Sequence, residues 1–332
     1  MKRAISLIIV PILILVLFSG CKNTGKATST KMMMDTVVTV SVSDTENAAA
    51  LVEGAMKLCD SYSFMFDRHA KNSPIARLNA AEGKPVEVTD EIIYLAELSQ
   101  RYYEQTGGMF DITIAPILDL WDFSGESDKL PNHDDIVERL SLVGSNRIVI
   151  GDGTLALKRG AAVDFGAVAK GFIADKMFEY LKNNGAVSAT INLGGNVYVL
   201  TGEEKYARIG IQKPFDENGT VAAVLELSDM TAVTSGTYQR YFIKNDKLYH
   251  HIIDPHTGYP VNTDLSSVTV IGTCSAEADA LSTSLLAMGY EAAHFYIESV
   301  RECEAVFIKT DGELCVSSGL ELVGDAYRVV KK

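Results

Sequence analysis

Between residues 187 and 317 the chain falls repeatedly into a two-residue apolar rhythm, and each run is stopped by Gly, Asn, Asp or Pro. The segments 187–192, 197–200, 206–213, 221–227, 231–233, 249–253, 267–271, 305–309 and 313–317 all read as strands on this criterion. Their connections are short, so neighbouring strands run antiparallel. Helical patterns are inserted between groups of strands and do not alternate with single ones. That layout specifies an α+β fold with largely antiparallel sheets and flanking helices, not a regular βαβ repeat. No internal sequence repeat is present.

The N-terminal half follows the same logic. Val38, Val40 and Val42 alternate with Thr39 and Ser41, a half-buried strand. Residues 47–64 place Ala49, Leu51, Val52, Ala55, Met56 and Cys59 at helical spacing, and residues 90–105 form a second helix with Asp90 as its cap. Residues 147–150 and 154–158 make a hairpin about Gly151–Gly153, and 134–140 a short helix. Ahead of these, Lys2 and Arg3 precede a nearly unbroken apolar run over residues 4–18, the layout of a secretory signal. Gly20–Cys21 resembles a bacterial lipoprotein cleavage site, with Phe18 in place of the usual branched aliphatic residue. An ordinary secreted protein and an uncleaved anchor remain the alternatives. The expected organisation is a signal peptide over 1–20, a flexible tether over 21–31 and one folded domain over 32–332.

The chain carries 30 basic and 43 acidic residues, a net charge of −13, and loss of residues 1–20 would bring this to about −15. Nucleic acid is thereby excluded as a partner. A polyanionic ligand would need a local cation or a helix N-terminus. Besides Cys21, the cysteines Cys59, Cys274, Cys303 and Cys315 form no CxxC pair, which argues against zinc. A two-residue turn at Asp311–Gly312 would set Cys315 opposite Ile308 and leave Cys303 and Cys315 unpaired.

Four stretches carry chemistry. Tyr249–Pro260 packs His250, His251 and His256 around Asp254–Pro255 and reads either as a solvated turn or as a corner presenting a general base. Asp111 sits in an apolar stretch and fits a helix cap or a ligand contact equally well. Val163–Gly171 leads into a helix running to about Asn184, where Gly166 and Gly171 let backbone approach a ligand and Lys170 adds charge; its spacing is neither Rossmann nor P-loop. Beyond Ser275, a good N-cap, Asp279 and Thr283 lie four apart on one helix face, two hard oxygen donors of the kind magnesium prefers.

Taken together, Phe110–Thr113, Val163–Gly171, Ile191–Asn196, Thr234–Tyr241, His251–Pro260 and Ala278–Thr283 resemble, in order, the motifs of the ApbE family of FAD:protein FMN transferases. The likeness runs from about Met32 to the C-terminus. It implies a T-fold-like α+β architecture and a magnesium-dependent transfer of FMN from FAD to a Thr or Ser hydroxyl of an acceptor flavoprotein, with release of AMP. Under the resemblance, Asp279 and Thr283 are side-chain metal ligands, Ala167 gives a backbone carbonyl, and His251 matches the proposed base. Met34, Ser73, Phe110, Asp111, Ile112, Asp164, Lys170 and Ile253 fall where the family lines its FAD pocket. Met34–Asp35–Thr36 departs from the common Met–Gly–Thr, and His250 duplicates the candidate base. The resemblance further implies extracytoplasmic acceptors such as membrane redox-pump subunits, and a lipid anchor at Cys21 on the outer face of the bacterial cell membrane. A magnesium-dependent FAD pyrophosphatase and a flavin-binding lipoprotein without activity are the competing readings.

Overall fold

A computed structural model describes residues 25–123, 129–202, 206–216, 218–300 and 302–330; the apolar leader and Cys21 lie outside them. The largest sheet is antiparallel throughout, in the order β1 (Ala27–Met33), β2 (Thr36–Ser43), β6 (Ser188–Leu193), β7 (Asn196–Leu200), β10 (Thr231–Gly236), β13 (Leu265–Gly272), β14 (Glu304–Lys309) and β15 (Leu314–Val316). A second sheet has the order β16 (Leu320–Val323), β17 (Ala326–Val329), β9 (Val221–Leu227) and β8 (Ala207–Gln212), with β17 and β9 parallel. Small sheets join β3 (Val86–Glu87), β5 (Thr154–Leu157) and β4 (Ile148–Gly151), and pair β11 (Tyr241–Lys244) with β12 (Lys247–His250). The helices are α1 (Ala48–Phe66), α2 (Pro74–Asn79), α3 (Asp90–Gln105), α4 (Ala115–Leu118), α5 (His133–Leu140), α6 (Ala169–Asn183), α7 (Ser275–Met288) and α8 (Tyr290–Ser299).

Because side chains alternate across a strand, the large sheet serves two cores at once. Tyr198, Leu200, Ala305 and Phe307 face α1, α6 and α7, while Val197, Val199, Val306 and Ile308 face Ile211, Leu225 and Leu227 of the smaller sheet. Strand β13 is covered on both faces and is buried along its whole length. A third cluster gathers Trp121, Ile117, Ile136, Phe242 and Ile253, and the indole Nε1 donates to the Gly258 carbonyl at 2.9 Å.

The structure alters several expectations. The tether predicted over 21–31 does not extend through its last residues: Ala27–Met33 is β1, paired along its length with β2. Here polar side chains pair across the strands, Thr28 with Ser41 at 2.8 Å and Thr30 with Thr39 at 3.0 Å, so a segment of tether-like composition becomes an edge strand. Helix α3 is preceded by Thr89 as its N-cap, which makes Asp90 a first-turn acid. The loop after β14 holds three residues, since Lys309 N donates to the Glu313 carbonyl at 2.9 Å. The register therefore moves by one and Cys315 faces Phe307, not Ile308. The described cysteines, Cys59, Cys274, Cys303 and Cys315, are free thiols.

Phe307 is fully buried between β13 and the helices, so Phe307→Ala should cost about 3–5 kcal/mol, whereas Ile243→Ala on the exposed β11 should stay within about 0.5 kcal/mol. Urea or thermal unfolding of the two variants checks this.

Candidate active site

A cavity of about 1800 Å³ opens beside the start of α6. Its wall includes Met34, Phe110, Asp111, Ile112, Asp164, Ala167, Lys170, His251, Ile253, Asp279 and Thr283. Segments far apart in sequence thus converge on one space. Ser73 does not join them. It is fully buried at the start of α2, where its hydroxyl donates to the Asp67 carbonyl at 2.5 Å and accepts from Ala76 N at 3.0 Å, an N-cap role.

The acid on α7 is set by a close helix crossing. A Cβ on Gly171 would stand 2.2 Å from the Ser275 carbonyl oxygen, so only glycine lets α6 approach α7 here. Gly171 therefore serves helix packing, not the ligand approach expected of it. Its amide donates at 2.8 Å to Asp279 Oδ2, while Asp279 Oδ1 lies 3.7 Å from the Lys170 ammonium. Asp279 is 2% exposed; burial raises its pKa, and the Lys170 charge and the Gly171 amide oppose that shift. Thr283, one turn on, shares a 3.2 Å hydrogen bond with Ser235.

Ser275 was expected to cap α7, but its hydroxyl instead donates to Asn196 Oδ1 at 2.8 Å. The capping group is Asp175 on α6, which accepts from Ser275 N at 2.7 Å and Ala276 N at 2.9 Å. Burial lifts its pKa to about 6, against those hydrogen bonds. Sequence reasoning had no handle on Asp175, whose partners lie about a hundred residues away.

The histidine pair divides cleanly. His250 is buried; its Nδ1 accepts from Ile252 N at 3.3 Å and its Nε2 faces the Val261 carbonyl at 3.2 Å, so both ring nitrogens are engaged. Burial pushes its pKa down to about 4. His251 borders the cavity. Its backbone amide and Nδ1 both face the Arg240 carbonyl, at 3.1 and 3.3 Å. With the Nδ1 proton held there, Nε2 carries the free lone pair a base requires. Packing around the ring, helped by the Arg240 guanidinium, drives the pKa down to about 3, and the imidazole is neutral at neutral pH.

Of the two roles left open for Asp111, the structure shows the cap. Oδ1 accepts from Thr113 N at 2.7 Å and from the Thr113 hydroxyl at 2.6 Å, capping the 3₁₀ turn at Ile112–Ile114. Among the described residues Oδ2 is buried without a partner, and Asp111 lines the cavity. Asp164 accepts from Gly166 N at 2.7 Å and from Arg68 Nε at 2.6 Å, and Arg68 also reaches Asp119 at 2.7 Å. This doubly paired arginine was not anticipated: nothing distinguished it within a polar loop. Met34 and Asp35 form the two-residue β1–β2 turn with φ of 53° and 55°, an unfavourable conformation for methionine of the kind that collects at functional sites.

Asp279, Thr283 and Ala167 all line the cavity, and a carboxylate, a hydroxyl and a backbone carbonyl are oxygen donors of the kind a hard cation takes. Among the described residues no cluster of three or more His, Cys, Asp and Glu is placed to hold a metal.

Two variants test this geometry. Gly171→Ala must part α6 from α7 and should cost about 1–3 kcal/mol, read as a lowered melting temperature. His250 is protonated less readily folded than unfolded, so its contribution is complete above about pH 6.5 and is lost as pH falls toward 4. The drop in melting temperature between pH 7 and 5 should accordingly be smaller in His250→Asn than in the parent.

Known proteins resemble this chain over most of its length. A profile of the ApbE family matches residues 34–307. An FAD:protein FMN transferase of Klebsiella pneumoniae (strain 342) is 32% identical over 273 residues, covering 81% of this chain and 85% of that protein. One from Treponema pallidum (strain Nichols) is 31% identical over 290 residues, covering 82% and 80%. Among solved structures, the ApbE protein of Thermotoga maritima superposes with a TM-score of 0.82 at 27% identity, over 88% of this chain and 97% of that one. The flavin transferase ApbE of Vibrio cholerae gives 0.78 at 25% identity, over 88% and 97%. With the motifs of residues 110–283 gathered on one cavity, this chain belongs to the ApbE family.

Proposed function

We propose that the protein is an FAD:protein FMN transferase, as its relatives are named, moving FMN from FAD onto a Thr or Ser hydroxyl of an acceptor flavoprotein. The observation that carries this reading is the meeting, on one cavity, of Asp279 and Thr283 with a neutral His251 whose Nε2 is free. In the reaction the acceptor oxygen attacks the phosphorus on the FMN side of the FAD diphosphate. The bond from that phosphorus to the bridging oxygen breaks, AMP leaves with the electron pair, and His251 Nε2 takes the hydroxyl proton. Lys170 balances charge beside Asp279, and Asp111 Oδ2 accepts from an N–H of the bound nucleotide. Asp279, Thr283 and the Ala167 carbonyl would hold Mg²⁺, which when bound supplies electrostatic stabilisation of the diphosphate. The finer reading extends to the N-terminus: a cleaved leader, lipidation at Cys21 and a position on the extracytoplasmic face of the cell membrane, where redox-pump subunits would be the acceptors. Among the described residues no helix is long and apolar enough to cross a membrane.

Incubating the purified protein with FAD, magnesium and membranes of the source bacterium should leave covalent flavin on an acceptor, visible as a fluorescent band on a denaturing gel. AMP and FMN released without any labelled protein would mean a pyrophosphatase, and neither product would mean a binding protein. His251→Ala should lower transfer by about 10²–10⁴-fold while FAD still quenches on binding, whereas Asp279→Asn should weaken magnesium and FAD binding together.

A further inference from the structure

Strand β8 is the outer strand of the smaller sheet: β9 pairs with one edge, and among the described residues no strand pairs with the other. Ile209, Gly210, Ile211 and Gln212 of this strand line the same cavity as His251 and Asp279. A free strand edge offers donors and acceptors at a repeat of about 3.4 Å per residue, an array that another extended backbone matches and a flavin ring does not. The space is also larger than one small molecule needs. At about 1800 Å³ it exceeds the roughly 300–1,000 Å³ usual for a site holding one small molecule.

The loop after β8 adds a side-chain feature at this rim. Phe215 has φ of 56°, a costly conformation for an aromatic residue, and its ring lies 5.8 Å from Tyr238 and 5.5 Å from Tyr241. Phe215 and Tyr241 are 49% and 40% exposed, and Tyr238 and Tyr241 line the cavity. An apolar platform therefore stands beside a strand edge that leads into the reactive space.

We propose that β8 is the docking edge for the acceptor polypeptide. An extended segment bearing the hydroxyl that receives FMN pairs its backbone with Ile209–Gln212 and rests an apolar side chain on the Phe215–Tyr238–Tyr241 cluster. The proposal rests on the transferase reading and adds how the second substrate is held.

The test uses the flavin-accepting domain identified by the gel experiment. Gly210→Pro removes an edge amide without touching the residues assigned to FAD or metal. At limiting acceptor it should slow transfer by about tenfold, the worth of one or two backbone hydrogen bonds, with FAD quenching unchanged. Independently, the amides of 207–212 in FAD-loaded His251→Ala protein should gain protection from hydrogen exchange when the acceptor domain is added. This measurement decides the matter should the proline variant fail to fold. Wild-type transfer rates in a folded Gly210→Pro, or unchanged exchange at 207–212 under conditions where the parent labels the acceptor, overturns the proposal and leaves the transferase reading standing. A parent enzyme that releases AMP and FMN yet never labels an acceptor overturns both.

Discussion

The hydrogen bond from Gly171 N to Asp279 Oδ2 is the joint on which the molecule turns. Burying an ionised carboxylate costs several kcal/mol unless it is paired and hydrogen-bonded. Here the compensation comes from the first turn of a neighbouring helix, reached only because residue 171 lacks a side chain. The same crossing brings Asp175 onto the N-terminus of α7 and Lys170 beside Asp279. Packing of α6 on α7 and positioning of the candidate cation site are therefore one structural fact, and a change that loosens one loosens the other.

Much of this fold was legible in the chain. Val38, Val40 and Val42 announced β2, and the helical spacing of Leu51, Ala55 and Cys59 announced α1, because in both cases one face is buried and the pattern has a single period. Strand β1 was hidden: Thr28 and Thr30 look like linker residues until Ser41 and Thr39 lie opposite. The loop after β14 was misjudged by one residue, since Asp311–Gly312 suits a two-residue or a three-residue turn and only the strand pairing chooses.

The candidate site was legible as a set of motifs rather than as geometry. Asp279 and Thr283 were marked by an acid and a hydroxyl in a helix otherwise rich in Ala and Leu, and the structure sets both on the cavity wall. Which histidine faces that cavity could not be read from adjacent positions; the Arg240 and Val261 carbonyls separate His251 from His250. Ser73 looked like a ligand contact and is a cap, because a serine before Pro74 at a helix start satisfies its own backbone. Arg68 and Asp175 escaped notice because each is defined wholly by partners distant in the chain.

The parallel pairing of β17 with β9 carries a consequence for biosynthesis. The ribosome makes residues 221–227 about a hundred positions before residues 326–329, and Tyr327 and Arg328 are what lie beside Leu225 and Glu226. Until residues 326–329 have been made, β9 is bare on that side, an open template for stray pairing with another nascent chain. Completion of this sheet thus waits on residues 326–329, and a product clipped or stalled before them would carry an unfinished, adhesive edge.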